Sequence, residues 1–336
     1  QPTLVDLTLA GERRKAVIVP TKRGEVFVLD RETGELLTDV TEREVPQTDL
    51  DNEWSSPTQP FSTGMPSFAY PLITESKMMG VTPFDQIACR KALLELRYEG
   101  PMTPPSERGT LLYPGPGGGM NWGSVAVDER RQLMVVNNMH LPFTIHMISR
   151  EEDPATGGEG YTRGYGIGGQ QRGTPFSARV NMFSSPLGIP CIQPPYGEIA
   201  VVDLTSQEII WRRPLGTAAI SLNGARIGVP LEMGSPYSAG SIVTGSGLIF
   251  IGGVMDGYMR AIDLFSGEEL FADPLHAPSS ATPMSYVSPK TGKQYVLLTV
   301  PGEATVSIGA DHSDSGDESD EVGNGGGYVI AYALPE

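Results

Sequence analysis

The sequence predicts an all-β protein built of radial β-sheet blades, a β-propeller, and three observations carry that reading. A hairpin signature recurs along the chain: Val28-Leu29-Asp30 with Gly34, Val201-Val202-Asp203 with Gln207 and Trp211, and Ala261-Ile262-Asp263 with Gly267 and Phe271. Each copy places a strand before an Asp that can bond turn N–H groups, and a Gly where φ must be positive. Gln207 replaces that Gly in the second copy and Thr38 replaces the aromatic in the first. Glycine (41) and proline (29) make up more than a fifth of the 336 residues, so turns are frequent. The aliphatic strands between them exclude wholesale disorder. Repeated short hairpins of this kind build blades around an axis.

Taken in order, residues 15–30 form a strand–turn–strand unit, with Val17-Ile18-Val19 leading through Pro20-Thr21-Lys22-Arg23-Gly24 into Val26-Phe27-Val28-Leu29. From local pattern alone Lys22 reads as a solvated turn lysine. Residues 40–60 read as an acidic, proline-rich loop. The spacing predicts one helix over 84–98, where Ile87, Leu94 and Tyr98 repeat at helical intervals before Pro101, Pro104 and Pro105, and it packs outside the sheets. The run Tyr113-Pro114-Gly115-Pro116-Gly117-Gly118-Gly119-Met120-Asn121-Trp122-Gly123-Ser124 lets backbone approach something closely. It has neither the spacing nor the following helix of a phosphate-binding loop. Strands over 124–127 and 133–136 follow, and the second ends in Asn137-Asn138, amides that either face a ligand or satisfy a turn. Residues 148–193 are too long for a hairpin loop and read as a cap or funnel wall. Further strands flank Gly240, Gly247 and the Lys290-Thr291-Gly292-Lys293 turn. The acidic Gly/Ser-rich stretch 311–327 reads as a solvated loop without calcium-ligand spacing, and a last strand closes the chain at 328–334.

The net charge of −16 argues against nucleic acid or an anionic membrane surface as partner. No apolar run approaches the roughly 20 residues of a membrane span. Gln1-Pro2-Thr3-Leu4-Val5-Asp6 carries no signal-peptide pattern and reads as the interior of a domain. Cys89 and Cys191 lack the spacing of zinc, iron–sulfur or c-type haem sites; they are either a disulfide or two buried thiols. The four histidines form no metal-binding pair, and no Gly-x-Ser-x-Gly elbow is present.

Longer strings carry a resemblance. Pro20-Thr21-Lys22-Arg23-Gly24-Glu25-Val26-Phe27-Val28-Leu29-Asp30-Arg31, Arg97-Tyr98-Glu99-Gly100, Gly118-Gly119-Met120-Asn121-Trp122-Gly123-Ser124, Ser185-Pro186-Leu187-Gly188-Ile189-Pro190-Cys191 and Val329-Ile330-Ala331-Tyr332-Ala333-Leu334-Pro335 are among them. Essentially end to end, the chain resembles the membrane-bound PQQ-dependent (quinoprotein) dehydrogenases of the glucose/quinate/shikimate family. The resemblance implies an eight-bladed propeller with pyrroloquinoline quinone (PQQ) near its axis, calcium beside it, and ubiquinone as electron acceptor. It makes residues 1–336 the C-terminal half of that propeller, about four blades with one peripheral helix. The repeated hairpins are similar to the family's tryptophan-docking motifs; Trp211 keeps the docking residue, and Phe271 and Thr38 depart from it.

The resemblance also assigns roles. Lys22 matches the lysine that bonds the quinone oxygens, Asn121 and Trp122 match an Asn–Trp pair at the cofactor, and Asn137 matches an asparagine near the site. The Gly-Gly-Met-Asn-Trp-Gly-Ser form is more similar to the quinate/shikimate branch. That implies oxidation of a ring hydroxyl of quinate, shikimate or another cyclic polyol. The alternatives are a glucose (aldose) dehydrogenase and a non-catalytic propeller scaffold. The family's general-base Asp, its calcium ligands and its membrane anchor fall upstream of Gln1. The expectation is therefore no catalytic residue and no metal ligand in this chain, a companion N-terminal half, and a place at the periplasmic face of the inner membrane.

Overall fold

The computed structural model describes residues 1–51, 53–69, 72–121, 123–153, 166, 168–169, 171, 173–218, 220–222, 225–236, 239–302 and 326–334. Four antiparallel sheets follow one another along the chain as blades. The first orders Thr3–Leu9, Glu12–Pro20 and Val26–Asp30; the second Val125–Asp128, Leu133–Met139, Gly197–Asp203 and Glu208–Pro214. The third orders Ser241–Val243, Leu248–Ile251, Tyr258–Asp263 and Glu269–Pro274, and the fourth Met284–Val287, Gln294–Val300 and Tyr328–Tyr332. The leading strand of the second blade packs against the leading strands of the first and third, as blades around an axis do. Leu133–Met139 is buried along its whole length, and Gly197–Asp203 along all but its last residue, because neighbouring blades cover both faces. This accounts for the apolar run at the centre of each, Leu133-Met134-Val135-Val136 and Ile199-Ala200-Val201-Val202.

The repeated signature is one turn built three times. Asp30 Oδ1 accepts from the N–H groups of Glu32 and Thr33, Asp203 Oδ1 from Thr205 and Ser206, and Asp263 Oδ1 from Phe265 and Ser266, all at 2.7–3.1 Å. Four residues after each Asp the backbone is left-handed: φ is +79° at Gly34, +60° at Gln207 and +74° at Gly267. Ser288 repeats the arrangement in the fourth blade, its hydroxyl accepting from Lys290 and Thr291 N–H before Gly292 at φ +70°. Trp211 docks from the second blade onto the third. Its indole N–H donates to Leu264 O at 2.9 Å, and its ring lies where a Cβ on Gly267 would stand, 2.9 Å away. Phe271 docks instead on a ring of the fourth blade, edge-on to Tyr332 at 6.0 Å. Thr38 is buried beside Gly64, and its Oγ1 has no hydrogen-bond partner among the described residues.

Between the second and third strands of the second blade the chain leaves to form a satellite sheet. There Phe143–Ser149 pairs with Phe176–Met182 on one side and Thr110–Leu112 on the other. The stretch read as a cap thus begins as a hairpin, although most of residues 154–172 and the acidic 311–325 lie outside the described residues. Residues 40–60 are a second departure from expectation: Val40–Glu44 and Thr58–Ser62 pair as an exposed hairpin.

The helix runs Pro83–Glu95, with Thr82 capping Asp85 N–H and Pro83 at its first turn. It stops before Tyr98 because Arg97 enters extended pairing with Thr110, Arg97 N donating to Gly109 O and Arg97 O accepting from Leu111 N. The face it buries is not the one its spacing suggested. Cys89 and Leu93 point inward, and Ile87 and Leu94 are exposed. A disulfide between Cys89 and Cys191 decides this, fixing the Cys89 face to the segment that pairs with Lys77 and Met79.

Candidate functional site

The second strand of the first blade ends in a tight turn. Gly24 N donates to Thr21 O at 3.0 Å and Thr21 N to Glu25 O at 2.9 Å, and Gly24 adopts φ +82°. This turn presents Lys22 to the glycine-rich run that precedes the second blade. A Cβ on Gly118 would stand 2.5 Å from Lys22 Cγ, so only glycine lets the lysine stem lie there. Lys22 is exposed, and its ammonium donates to Pro116 O at 2.7 Å while its own carbonyl accepts from Gly119 N at 2.6 Å.

Asn121 is tied to the same loop, its Nδ2 donating to Gly117 O at 2.7 Å. Lys22 and Asn121 therefore hang from adjacent carbonyls of one glycine-lined rim. Asn137 lies on the other side of the loop. Its Nδ2 donates to Ala239 O at 3.1 Å, beside the place where Gly123 and Gly240 meet backbone to backbone. The structure thus brings Lys22 and Asn121 together and sets Asn137 at the junction with the third blade. Trp122 lies outside the described residues.

The oxygens Asn121 Oδ1, Asn137 Oδ1 and Asn138 Oδ1 are buried without a hydrogen-bond partner among the described residues. Buried acceptors left unpaired cost roughly 1–3 kcal/mol each, which a bound donor relieves. An anionic quinone with a ring N–H suits this set: a cation for its oxygens and an amide acceptor for its N–H. The residues present fit PQQ.

Behind the rim is a buried polar cluster that residue patterns did not reveal. Glu198, opposite Asn138 in the sheet register, accepts from Arg212 Nε at 2.6 Å and lies 3.0 Å from His140 Nε2. Burial pushes the Glu198 carboxyl up, but the hydrogen bonds from His140 and Arg212 outweigh it and hold the group below the ordinary glutamate range. The available signal was Glu198 itself, an acid inside an apolar strand. Its partners are up to 60 residues away and meet only through strand register.

Known proteins share this architecture and sequence. The chain is 40% identical over its full length to the probable quinate dehydrogenase (quinone) of Xanthomonas campestris pv. juglandis, covering 41% of that protein. It is 39% identical over 99% of its length to the quinate/shikimate dehydrogenase (quinone) of Acinetobacter baylyi, covering 40% of it. Identity to the quinoprotein glucose dehydrogenase of Escherichia coli is 37% over the whole chain and 40% of that protein. The chain thus spans about two fifths of the length of these relatives. Among solved structures, the quinohemoprotein alcohol dehydrogenase from Comamonas testosteroni superposes with a TM-score of 0.51 at 19% identity, over 90% of this chain and 34% of that one, a likeness of fold. The family described as "PQQ: Glucose/ethanol/alcohol dehydrogenase, beta-propeller domain" matches residues 1–296. With four blades, a docking tryptophan and a lysine set on a glycine rim, the chain belongs to the PQQ-dependent dehydrogenase β-propeller family.

Proposed function

We propose that this chain is the C-terminal part of a dehydrogenase that oxidises a ring hydroxyl of quinate, shikimate or a similar cyclic polyol and passes the electrons to ubiquinone. The observation that carries the reading is the meeting of Lys22 and Asn121 on one rim, beside amide oxygens with no partner among the described residues. When bound, PQQ supplies the two-electron acceptor for the alcohol carbon. Lys22 would help hold the cofactor and would supply a positive charge that favours its reduction. Asn121 offers Oδ1 as an acceptor and orients the cofactor. Asn137 ties the second blade to the start of the third through Ala239 O.

The quinate-type relatives and the Gly118-Gly119-Met120-Asn121-Trp122-Gly123-Ser124 string favour cyclic polyols over glucose, the alternative substrate. The general-base Asp, the calcium ligands and the remaining blades belong to a companion N-terminal part. The exposed apolar residues of the fourth blade's leading strand, Met284, Tyr286 and Val287, support such a neighbour. A periplasmic location is supported by the disulfide, which persists in an oxidising compartment. No helix among the described residues is long and apolar enough to cross a membrane.

The test is a visible-absorption titration of the full-length enzyme with PQQ and calcium. Lys22→Ala is expected to weaken binding by about 10–100-fold, the loss of one charge-assisted hydrogen bond. Unchanged affinity overturns the assignment of Lys22, and no PQQ binding by the intact enzyme leaves the scaffold reading. A higher kcat/KM for glucose than for quinate transfers the substrate to the alternative.

A further inference from the structure

The turn that carries Lys22 is supported from two sides. On one, Gly24 O accepts from Phe68 N at 2.7 Å, and a Cβ on Gly24 would stand 2.6 Å from Ala69 N, so the turn is pressed onto the backbone of residues 68 and 69. Phe68 O accepts in turn from Asn138 Nδ2 at 2.9 Å. On the other, Gly119 N donates to Lys22 O, Met139 N donates to Gly119 O, and a side chain at Gly119 would run into Asn138 Oδ1. Asn138 therefore touches both supports of the lysine turn.

Asn138 is itself held in place. It is 1% exposed, and its Nδ2 lies 3.4 Å from Glu198 Oε1 and 3.1 Å from His140 Nε2. Glu198 is clamped by Arg212, whose guanidinium also lies over the Phe68 ring at 5.7 Å. The cluster joins the second blade to the Lys22 turn of the first and meets the rim at Gly119 through Asn138.

We infer that Asn138, locked by Glu198, His140 and Arg212, is a positioning residue that fixes the Lys22 turn and thereby sets the affinity for PQQ; this rests on Lys22 as the cofactor contact. An ammonium on a four-carbon stem contributes most when its backbone is held still, and a misplacement of about 1 Å is enough to forfeit much of its effect.

The experiment is a double-mutant cycle on the full-length enzyme, read as PQQ dissociation constant and as the absorption maximum of the bound quinone. Lys22→Ala and Asn138→Ala are each expected to weaken binding, Asn138→Ala by about tenfold, the worth of one or two buried hydrogen bonds. The pair is expected to bind no more weakly than Lys22→Ala alone, since without the ammonium there is nothing left to position. The absorption maximum should move in the same direction in both single variants. Should Asn138→Ala fail to fold, Gly119→Ala crowds the amide from the other side and is expected to give the same cycle. Wild-type affinity in Asn138→Ala or Gly119→Ala, or fully additive losses in the pair, overturns the inference alone. Wild-type affinity in Lys22→Ala overturns the lysine assignment and the inference with it.

Discussion

Replacing both cysteines of the Cys89–Cys191 disulfide by alanine tests how the peripheral elements are attached. The bridge joins residues 102 apart, and that loop contains the satellite strands and the first two strands of the second blade. In the chain-entropy account, a link of this span restrains the unfolded chain by about 4–5 kcal/mol at 25 °C. Both cysteines are buried, so small cavities add about 1 kcal/mol more, and alanine avoids the unpaired hydroxyl that serine would bury. The expected loss is therefore about 5–6 kcal/mol. Urea unfolding followed by circular dichroism measures it, with wild type in a strong reductant as the matching control. Because the helix and the satellite sheet depend most on the bridge, their transition should separate from that of the blades and come first. A midpoint shift worth less than about 1 kcal/mol, the same with and without reductant, would refute the reasoning.

Other perturbations follow from the same geometry. Gln207→Gly is expected to stabilise the protein by about 0.5–1 kcal/mol, because Gln207 sits at φ +60° where its sister turns carry glycine; the denaturation midpoint checks this. Trp211→Phe should cost about 1 kcal/mol for the lost bond to Leu264 O, and Trp211→Ala about 2–3 kcal/mol with the ring contact gone, both read by chemical denaturation. Glu198 has a folded-state pKa below its unfolded value, so its contribution is complete above the ordinary glutamate range and is lost as pH falls through the depressed pKa. Glu198→Gln should flatten the fall in stability between pH 5 and the acid limit, as measured by melting temperature against pH; an unaltered slope counts against the His140–Glu198–Arg212 network.

What was legible in the residues was whatever repeats or stays local. An Asp followed four positions later by a residue with left-handed backbone, Gly in two copies and Gln207 in the other, describes a turn closed by bonds within five residues, and all three copies form it. The turn at Lys290-Thr291-Gly292-Lys293 was legible from its glycine, but not as a fourth copy of the repeat, because the Ser288 hydroxyl does the work of the carboxylate there. Residues 40–60 hid a hairpin because its strands are polar and exposed, and so lack an apolar alternation. The helix face was misjudged because periodicity weighs Ile87 and Leu94 but not a covalent bond at Cys89. In the site, the Lys22 turn and the glycine run are contiguous strings, whereas Asn138, His140, Glu198 and Arg212 meet through register alone.

The two departures from the repeat explain each other. At Gly267 a Cβ would stand 2.9 Å from the Trp211 ring, so the docking tryptophan demands glycine on the next blade quite apart from φ. The position equivalent to Gly267 in the second blade is Gln207, and the residue equivalent to Trp211 in the first blade is Thr38, which has no ring to dock and lies buried beside Gly64. With no ring to meet, the second blade keeps a side chain at the turn at the cost of a strained backbone. The first and second blades share an apolar core that includes Leu7, Ile18, Val28, Val136 and Val202, and polar contacts add to it: Asp6 N–H to Glu129, Thr8 N–H to Gln132, and, beside the Lys22 turn, Asn138 to Phe68 O. The junction that gave up aromatic docking is the one that carries the Lys22 turn against the glycine rim. There, directional hydrogen bonds fix a lysine more closely than a ring stacked at the blade's outer edge.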